Sequence, residues 1–127
     1  RLGRDGQSVS MASYRAHTQD YIHVARILLD VAEPLAAQPA PAGRDLLLVQ
    51  RARDVAQYLI ELYLRFPPDR ETGLALRRYD EMLCQTYPHI AAMMTNKNTR
   101  LLRAGRYLPY RTLSAWARGK QSNGGIL

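Results

Sequence analysis

The sequence predicts an all-α protein, a single-domain helical bundle of four or five helices without a sheet. Apolar residues recur in alternating steps of three and four over long stretches, which is the spacing of one face of a helix. No stretch alternates apolar and polar residues with a period of two, as a half-buried strand would. A chain of 127 residues, 46% of them apolar, is long enough for one domain with one core.

The first helix is predicted over residues 11–37 from a stripe of seven residues. The stripe consists of Tyr14, His17, Tyr21, Val24, Leu28, Val31 and Leu35. Further apolar residues widen this face on both sides, so the helix should contact two neighbours. Tyrosine and histidine suit an interface with a partner helix better than a dry core. We therefore expect a homodimer whose interface includes Tyr14, His17, Tyr21 and Leu28.

The remaining helices follow from the same spacing and from capping residues. A second helix is predicted over residues 44–66 and should run antiparallel to the first, because the linker between them is short. Asp69 is expected to cap a third helix, a fourth should run from Pro88 to Gly105, and a fifth over residues 109–118. The predicted bundle covers residues 11–118. Residues 1–10 are expected to be a disordered or vector-derived leader, and residues 119–127 a flexible tail.

The net charge of +7 is concentrated in the last quarter of the chain. Residues 1–94 contain eleven arginines and eleven acidic residues, so their charges cancel. Residues 95–127 contain five arginines, two lysines and no acidic residue. This distribution indicates a local basic surface on a neutral body and not a uniform coat for nucleic acid.

The pattern of reactive residues predicts a protein that is not an enzyme and that binds neither a cofactor nor a metal. The three histidines and Cys84 lack the spacing of zinc ligands, and Cys84 is predicted to pack in the core as a small apolar residue. No glycine-rich phosphate loop is present. No run of residues is long and apolar enough for a membrane span, and a single cysteine fits a reducing compartment, so we expect a cytoplasmic protein.

The basic and aromatic segment of residues 96–120 allows three interpretations. In the leading one, it binds another protein, because arginine, tyrosine and tryptophan dominate interface hot spots. The predicted partner-binding residues are Arg100, Arg103, Arg106, Tyr107, Tyr110, Arg111 and Trp116. The protein would then be a small regulator that sequesters its target, a transcription regulator being one example.

The second interpretation is nucleic-acid binding, in which the aromatic rings stack on bases and the cations contact phosphates. The helix, turn and second helix of this segment could form a helix-turn-helix. Two features count against that motif: the predicted second helix is short, and it lacks Asn or Gln to read adenine. Weak, non-specific nucleic-acid binding is expected even under the leading interpretation. In the third, the leucines and Trp116 simply pack onto the bundle while the arginines are solvated near helix C-termini.

Overall fold

The structure, a computed structural model, describes the backbone of residues 2–126 and the side chains of residues 16–119. Over that range the protein is all-helical and forms a single small domain, which confirms the predicted fold class. The described chain contains six helices. They are α1 (Leu2–Ala36), α2 (Arg44–Arg65), α3 (Arg70–Thr86), α4 (Pro88–Ala92), α5 (Lys97–Ala104) and α6 (Tyr110–Ile126).

The sixth helix arises because the predicted fourth helix is interrupted after Ala92. Asn96 precedes α5 with an extended backbone, φ −61° and ψ 146°. Short polar side chains such as those of Thr95 and Asn96 compete with the helical backbone for hydrogen bonds and favour helix starts. Pro88 begins α4 in its first turn, which is the position where a proline costs least.

Both terminal helices are longer than predicted. The backbone is helical from Leu2, not from Met11, and α6 passes Gly119 to end at Ile126. Pro34 lies inside the last turn of α1, which ends two residues later. A glycine in a helix interior costs only about 1 kcal/mol, so Gly119 alone does not end α6. The flexible tail and the nature of residues 1–10 stay predictions.

Helix α2 is the central element, because every other helix contacts it. Ala52, Leu59 and Leu62 of α2 are buried, as is Phe66 directly after its end. Helix α1 packs mainly against α2. At the C-terminal end of α2, the Ser114 hydroxyl donates to the carbonyls of Leu64 and Phe66 at 2.9 and 3.3 Å. This bond satisfies carbonyls that the end of a helix leaves without a partner, and it fixes α6 there.

The face that α1 buries is not the predicted stripe. The buried residues Thr18, Ala25, Leu29 and Ala32, together with the partly buried Ile22, form a core stripe one position further around the helix. Tyr21, Val24 and Val31 of the predicted stripe are 45%, 64% and 52% exposed. Ala25 and Ala32 of α1 and Ala52 and Ala56 of α2 are all buried, and the two helices contact each other. Small side chains let helices approach closely, which favours this stripe for the α1–α2 contact.

Polar contacts from α1 hold the junction of α3 and α4. The Glu33 carboxylate accepts hydrogen bonds from the backbone N–H groups of His89 and Ile90, each at 3.0 Å. Glu33 thereby caps a helix 56 residues away in sequence. The Tyr87 hydroxyl donates to Asp30 and accepts from Arg26. The predicted local cap of α3 is confirmed, since Asp69 accepts from the Thr72 N–H at 2.6 Å.

Leu28 and Leu29 are sequence neighbours on different faces and form a matched pair for testing the core stripe. We expect Leu29→Ala and Leu59→Ala each to lower the free energy of unfolding by about 2–5 kcal/mol, because both side chains are buried in the core. Leu28→Ala should cost no more than about 2 kcal/mol in the monomer, because its side chain is only partly buried. Urea denaturation followed by circular dichroism measures all three. A loss below about 1 kcal/mol for Leu29→Ala would contradict this core stripe.

Candidate binding surface of the C-terminal quarter

Two of the predicted partner-binding residues lie against a buried carboxylate. Asp80 on α3 is 1% exposed. The Arg103 guanidinium donates to it from Nε at 3.2 and 3.0 Å and from Nη2 at 2.7 Å, and the Tyr107 hydroxyl donates at 2.6 Å. Arg103 Nη1 also donates to the Ala91 carbonyl at 2.8 Å. Arg103 therefore joins α3, α4 and α5, and its guanidinium hydrogen-bonds inside the fold instead of reaching outward.

The pKa shifts of this cluster have clear causes. Burial alone would lower the pKa of the Arg103 guanidinium, but hydrogen bonding and attraction to Asp80 raise it overall. Burial and the bond to Asp80 raise the pKa of the Tyr107 hydroxyl well above its usual value. At neutral pH the cluster thus contains a charged guanidinium and a neutral phenol, which are the two hydrogen-bond donors that a buried carboxylate needs.

The turn after α5 has an unusual backbone. The Arg106 N–H donates to the Arg103 carbonyl at 3.3 Å, and the Tyr107 N–H to the Leu102 carbonyl at 2.7 Å. These two bonds define a Schellman motif, whose left-handed residue is usually glycine. In this protein Arg106 occupies the left-handed position with φ 51°, and the next residue, Tyr107, is also left-handed with φ 68°. The predicted terminating glycine, Gly105, lies one position earlier with φ −90°.

Gly105 is required for a different reason, the close approach of the chain that follows the turn. A Cβ atom on this residue would lie 2.7 Å from the Pro109 Cδ.

Tyr110, the third predicted residue that points inward, is buried at the start of α6. Its ring lies 3.0 Å from where a Cβ on Gly73 would be, so the glycine on α3 makes room for it.

The other four predicted residues are exposed. They are Arg100, Arg106, Arg111 and Trp116, the last of them 57% exposed. The Lys97 ammonium lies 5.8 Å from the centre of the Trp116 ring, a cation–π distance that connects α5 to α6. We use the term basic apolar surface for the exposed basic and large apolar side chains of this segment, which lie on both flanks of α6 as well as on α5 and the turn: Lys97, Arg100, Leu101, Arg106, Leu108, Arg111, Trp116 and Arg118.

Sequence reasoning missed Lys97 and the two leucines as parts of this surface. Leu108 is 89% exposed and Leu101 is also exposed, whereas both had been considered as packing residues under the third interpretation. Leu102, next to Leu101, is the leucine that α5 buries. No local signal marks Leu108, because its direction depends on the two left-handed residues before it.

The charges of the basic apolar surface are not neutralised within the described residues. Among residues 16–119, no ion pair involves Lys97, Arg100, Arg106, Arg111 or Arg118. The acids near this segment have other partners, since Glu61 accepts from Asn98 and Asp80 from Arg103. A shallow cleft of about 310 Å³ lies between Thr95, Lys97, Arg100, Leu101 and Ala104. Cations around apolar side chains suit a ligand that is both acidic and apolar.

Cys84 is exposed, so its predicted place in the core is wrong. Leu83 occupies the buried position, and Cys84 lies about 100° further around α3. Partial burial of the thiol and the negative charge of Asp80 raise its pKa, which keeps the thiol protonated and weakly nucleophilic at neutral pH. Within the described residues, no group of three or more His, Cys, Asp or Glu side chains could hold a metal ion.

The predicted dimer residues are on α1 and are not part of this surface. His17 is exposed and its Nδ1 lies 3.1 Å from Asp20, Tyr21 is exposed, and Leu28 is partly buried. The side chain of Tyr14 lies outside the described residues. No helix in the part of the chain that was described is long and apolar enough to cross a membrane.

No known family model matches the chain, and no curated protein or solved structure is significantly similar to it.

Asp80→Ala should lower the free energy of unfolding by about 3 kcal/mol or more, because it leaves the Arg103 guanidinium without its carboxylate. Glu81→Ala is the matched control on the same helix. Its exposed pair with Arg77, at 3.6 Å, should contribute less than about 1 kcal/mol. Chemical denaturation at neutral pH measures both variants. Equal losses for the two would show that the buried cluster is not a main source of stability.

Arg106→Gly should raise the free energy of unfolding by about 1 kcal/mol, because glycine adopts a left-handed backbone without steric cost. Gly105→Ala should instead lower it by about 1–3 kcal/mol, since the new Cβ would clash with Pro109. Thermal melting compares the two adjacent positions. A Gly105→Ala protein as stable as the parent would contradict this geometry of the turn.

Proposed function

We propose that the protein is a non-catalytic regulator that binds an acidic region of another protein through the basic apolar surface. The observation that supports this best is the combination of exposed Leu101, Leu108 and Trp116 with five unpaired cations among the described residues. The apolar side chains favour a partner that can cover them, and the cations favour a partner with carboxylates. Sequestration of a transcription regulator is one form that such binding could take.

A protein partner fits this surface better than a nucleic acid does. Two leucines offer nothing to a phosphate backbone, whereas they suit the apolar face of an amphipathic helix. Two of the three aromatic rings that could have stacked on bases, Tyr107 and Tyr110, have their hydroxyl groups or rings directed into the fold. The remaining ring, that of Trp116, already faces Lys97.

Nucleic-acid binding is the second candidate, and one observation favours it. Helix α6 is 17 residues long, so the objection that the helix after the turn is short no longer holds. Helices α5 and α6 flank a five-residue turn at positions 105–109. The described exposed face of α6, however, offers Arg111, Thr112, Trp116 and Arg118, without Asn or Gln to read adenine.

The test uses three fluorescent probes: a synthetic amphipathic helix with Glu on one face and Leu on the other, a duplex DNA of mixed sequence, and a single-stranded oligonucleotide. Fluorescence anisotropy gives each affinity as a function of salt. We expect the peptide to bind and the DNA affinity to be lost by about 0.2 M salt, because phosphate binding depends on counterion release. The single tryptophan supplies a second readout, since covering Trp116 should shift its emission to shorter wavelength.

Trp116→Ala and Leu108→Ser should each weaken peptide binding at least about tenfold, as loss of an anchor in a covered patch does. Arg44→Ala, an exposed arginine at the start of α2, is the matched control and should have no effect. Each variant must keep the parent's melting temperature. Tight, sequence-selective duplex binding above about 0.2 M salt, without peptide binding, would replace this proposal with the second candidate. Capture from the native host with nuclease added would then identify the partner.

A further inference from the structure

Helix α1 presents two stripes with the spacing of a heptad, and the other helices of the described chain bury one of them much more fully than the other. The core stripe, with Thr18, Ile22, Ala25, Leu29 and Ala32, faces α2 and the interior. The outer stripe consists of His17, Tyr21, Val24, Leu28, Val31 and Leu35. Tyr21, Val24 and Val31 are exposed, as is Ile27 beside them, while Leu28 and Leu35 are partly buried.

The regular spacing of the outer stripe is informative, because a helix face that contacts only solvent does not need regularly spaced apolar residues. Steps of four, three, four, three and four residues maintain one seam along a helix, and a seam is useful only when another helix packs on it. The stripe spans 19 residues, which is about 29 Å of helix at 1.5 Å per residue. The exposed apolar residues Tyr21, Val24, Ile27 and Val31 follow one another over about 17 Å of this length, and such a patch marks an interface and not a solvated face.

We infer that the outer stripe is the seam of a homodimer, in which α1 packs antiparallel against α1 of a second copy. Charge supports a second copy as the occupant. The outer stripe contains no Asp, Glu, Lys or Arg. Of the charged side chains on the same helix segment, Arg26, Asp30 and Glu33 bond to Tyr87 and His89. Asp20 is exposed beside the stripe and pairs with His17 of the same copy. Two copies can meet at this neutral seam although each has a net charge of +7.

The antiparallel orientation follows from where that charge lies. Thr18 of α1 shares a cleft with Phe66 of α2, and Ser114 of α6 bonds to the Phe66 carbonyl. The start of α6 is thus attached near residue 18 of α1, whereas Arg103 of α5 bonds to Ala91, beside the residues that Glu33 caps. A parallel dimer would place both α6 helices, with Arg111 and Arg118, at the same end of the seam. An antiparallel dimer separates them, which lowers their repulsion.

The length of the seam limits the area that a dimer would bury. Two helices packed over this length bury on the order of 500 Å² per copy, which is at the low end for a specific interface. We therefore expect a dissociation constant in the micromolar range. The inference is independent of the proposed function, since the seam and the basic apolar surface share no residue.

Analytical ultracentrifugation over about 1–200 µM protein tests the seam, a range that brackets a micromolar equilibrium. The parent should change from the 14.4 kDa chain mass to twice that mass with rising concentration. Val24→Glu and Val31→Glu should remain monomeric throughout, because each places a charge in the seam. Leu74→Glu, an exposed leucine on α3, is the matched control and should dimerise like the parent.

Circular dichroism must show that each variant keeps the parent's helix content, and this is expected because Val24 and Val31 are exposed in the monomer. A parent that stays monomeric at the highest concentration would overturn the inference, and would leave a helix of another protein as the occupant. Dimers of Val24→Glu as stable as those of the parent would also overturn it. In either case the peptide binding of the basic apolar surface is measured separately and is unaffected.

Cysteine cross-linking tests the orientation in a Cys84→Ser background, which removes the exposed native thiol. Single cysteines replace Tyr21, Val24, Leu28 and Val31 in turn. A parallel seam would bring every residue next to its own copy, so all four proteins would form disulfides. An antiparallel seam brings a residue next to its own copy only close to the two-fold axis, so cysteines at no more than one or two adjacent positions should form disulfides. Efficient cross-linking at all four would overturn the antiparallel arrangement.

Discussion

The buried carboxylate of Asp80 is the constraint on which the second half of the fold depends. A carboxylate that is 1% exposed must receive hydrogen bonds from nearby donors, and here Arg103 and Tyr107 supply them from α5 and the turn that follows it. Because Arg103 also bonds to the Ala91 carbonyl, one guanidinium holds α3, α4 and α5 together. The position of Tyr107 also helps to hold the left-handed backbone at Arg106 and Tyr107, and this conformation directs Leu108 into solvent.

The same constraint divides the basic segment into two functional parts. Arg103 and Tyr107 serve the interior, and Tyr110 joins them by packing against Gly73. Arg100, Arg106, Arg111 and Trp116 are exposed, as are Lys97, Leu101 and Leu108. The segment is therefore both the end of a helical domain and a candidate binding surface. This division explains why a mutation at Arg103 cannot test binding without also testing stability.

Helix α1 shows a similar division between two faces of one helix. Its core stripe packs on α2, its charged residues cap α4 and hold Tyr87, and its outer stripe is free of charge. Under the two proposals, the domain would contact a second copy along α1 and an acidic protein at the basic apolar surface. Because a dimer would present two basic apolar surfaces, a partner with two acidic regions would bind with higher avidity than a partner with one.

Sequence alone determined the all-α class, the bounds of α2, the cap at Asp69 and the concentration of charge after residue 94, because each depends on local spacing, local capping or composition. It could not choose between the two stripes of α1, since both have the same period, and the choice depends on how closely α2 approaches. It could not predict that Glu33 caps α4 or that Arg103 faces Asp80, because the partners lie 56 and 23 residues apart. Only the tertiary structure brings such groups together, and burial then decides which basic and aromatic residues face inward and which remain at the surface.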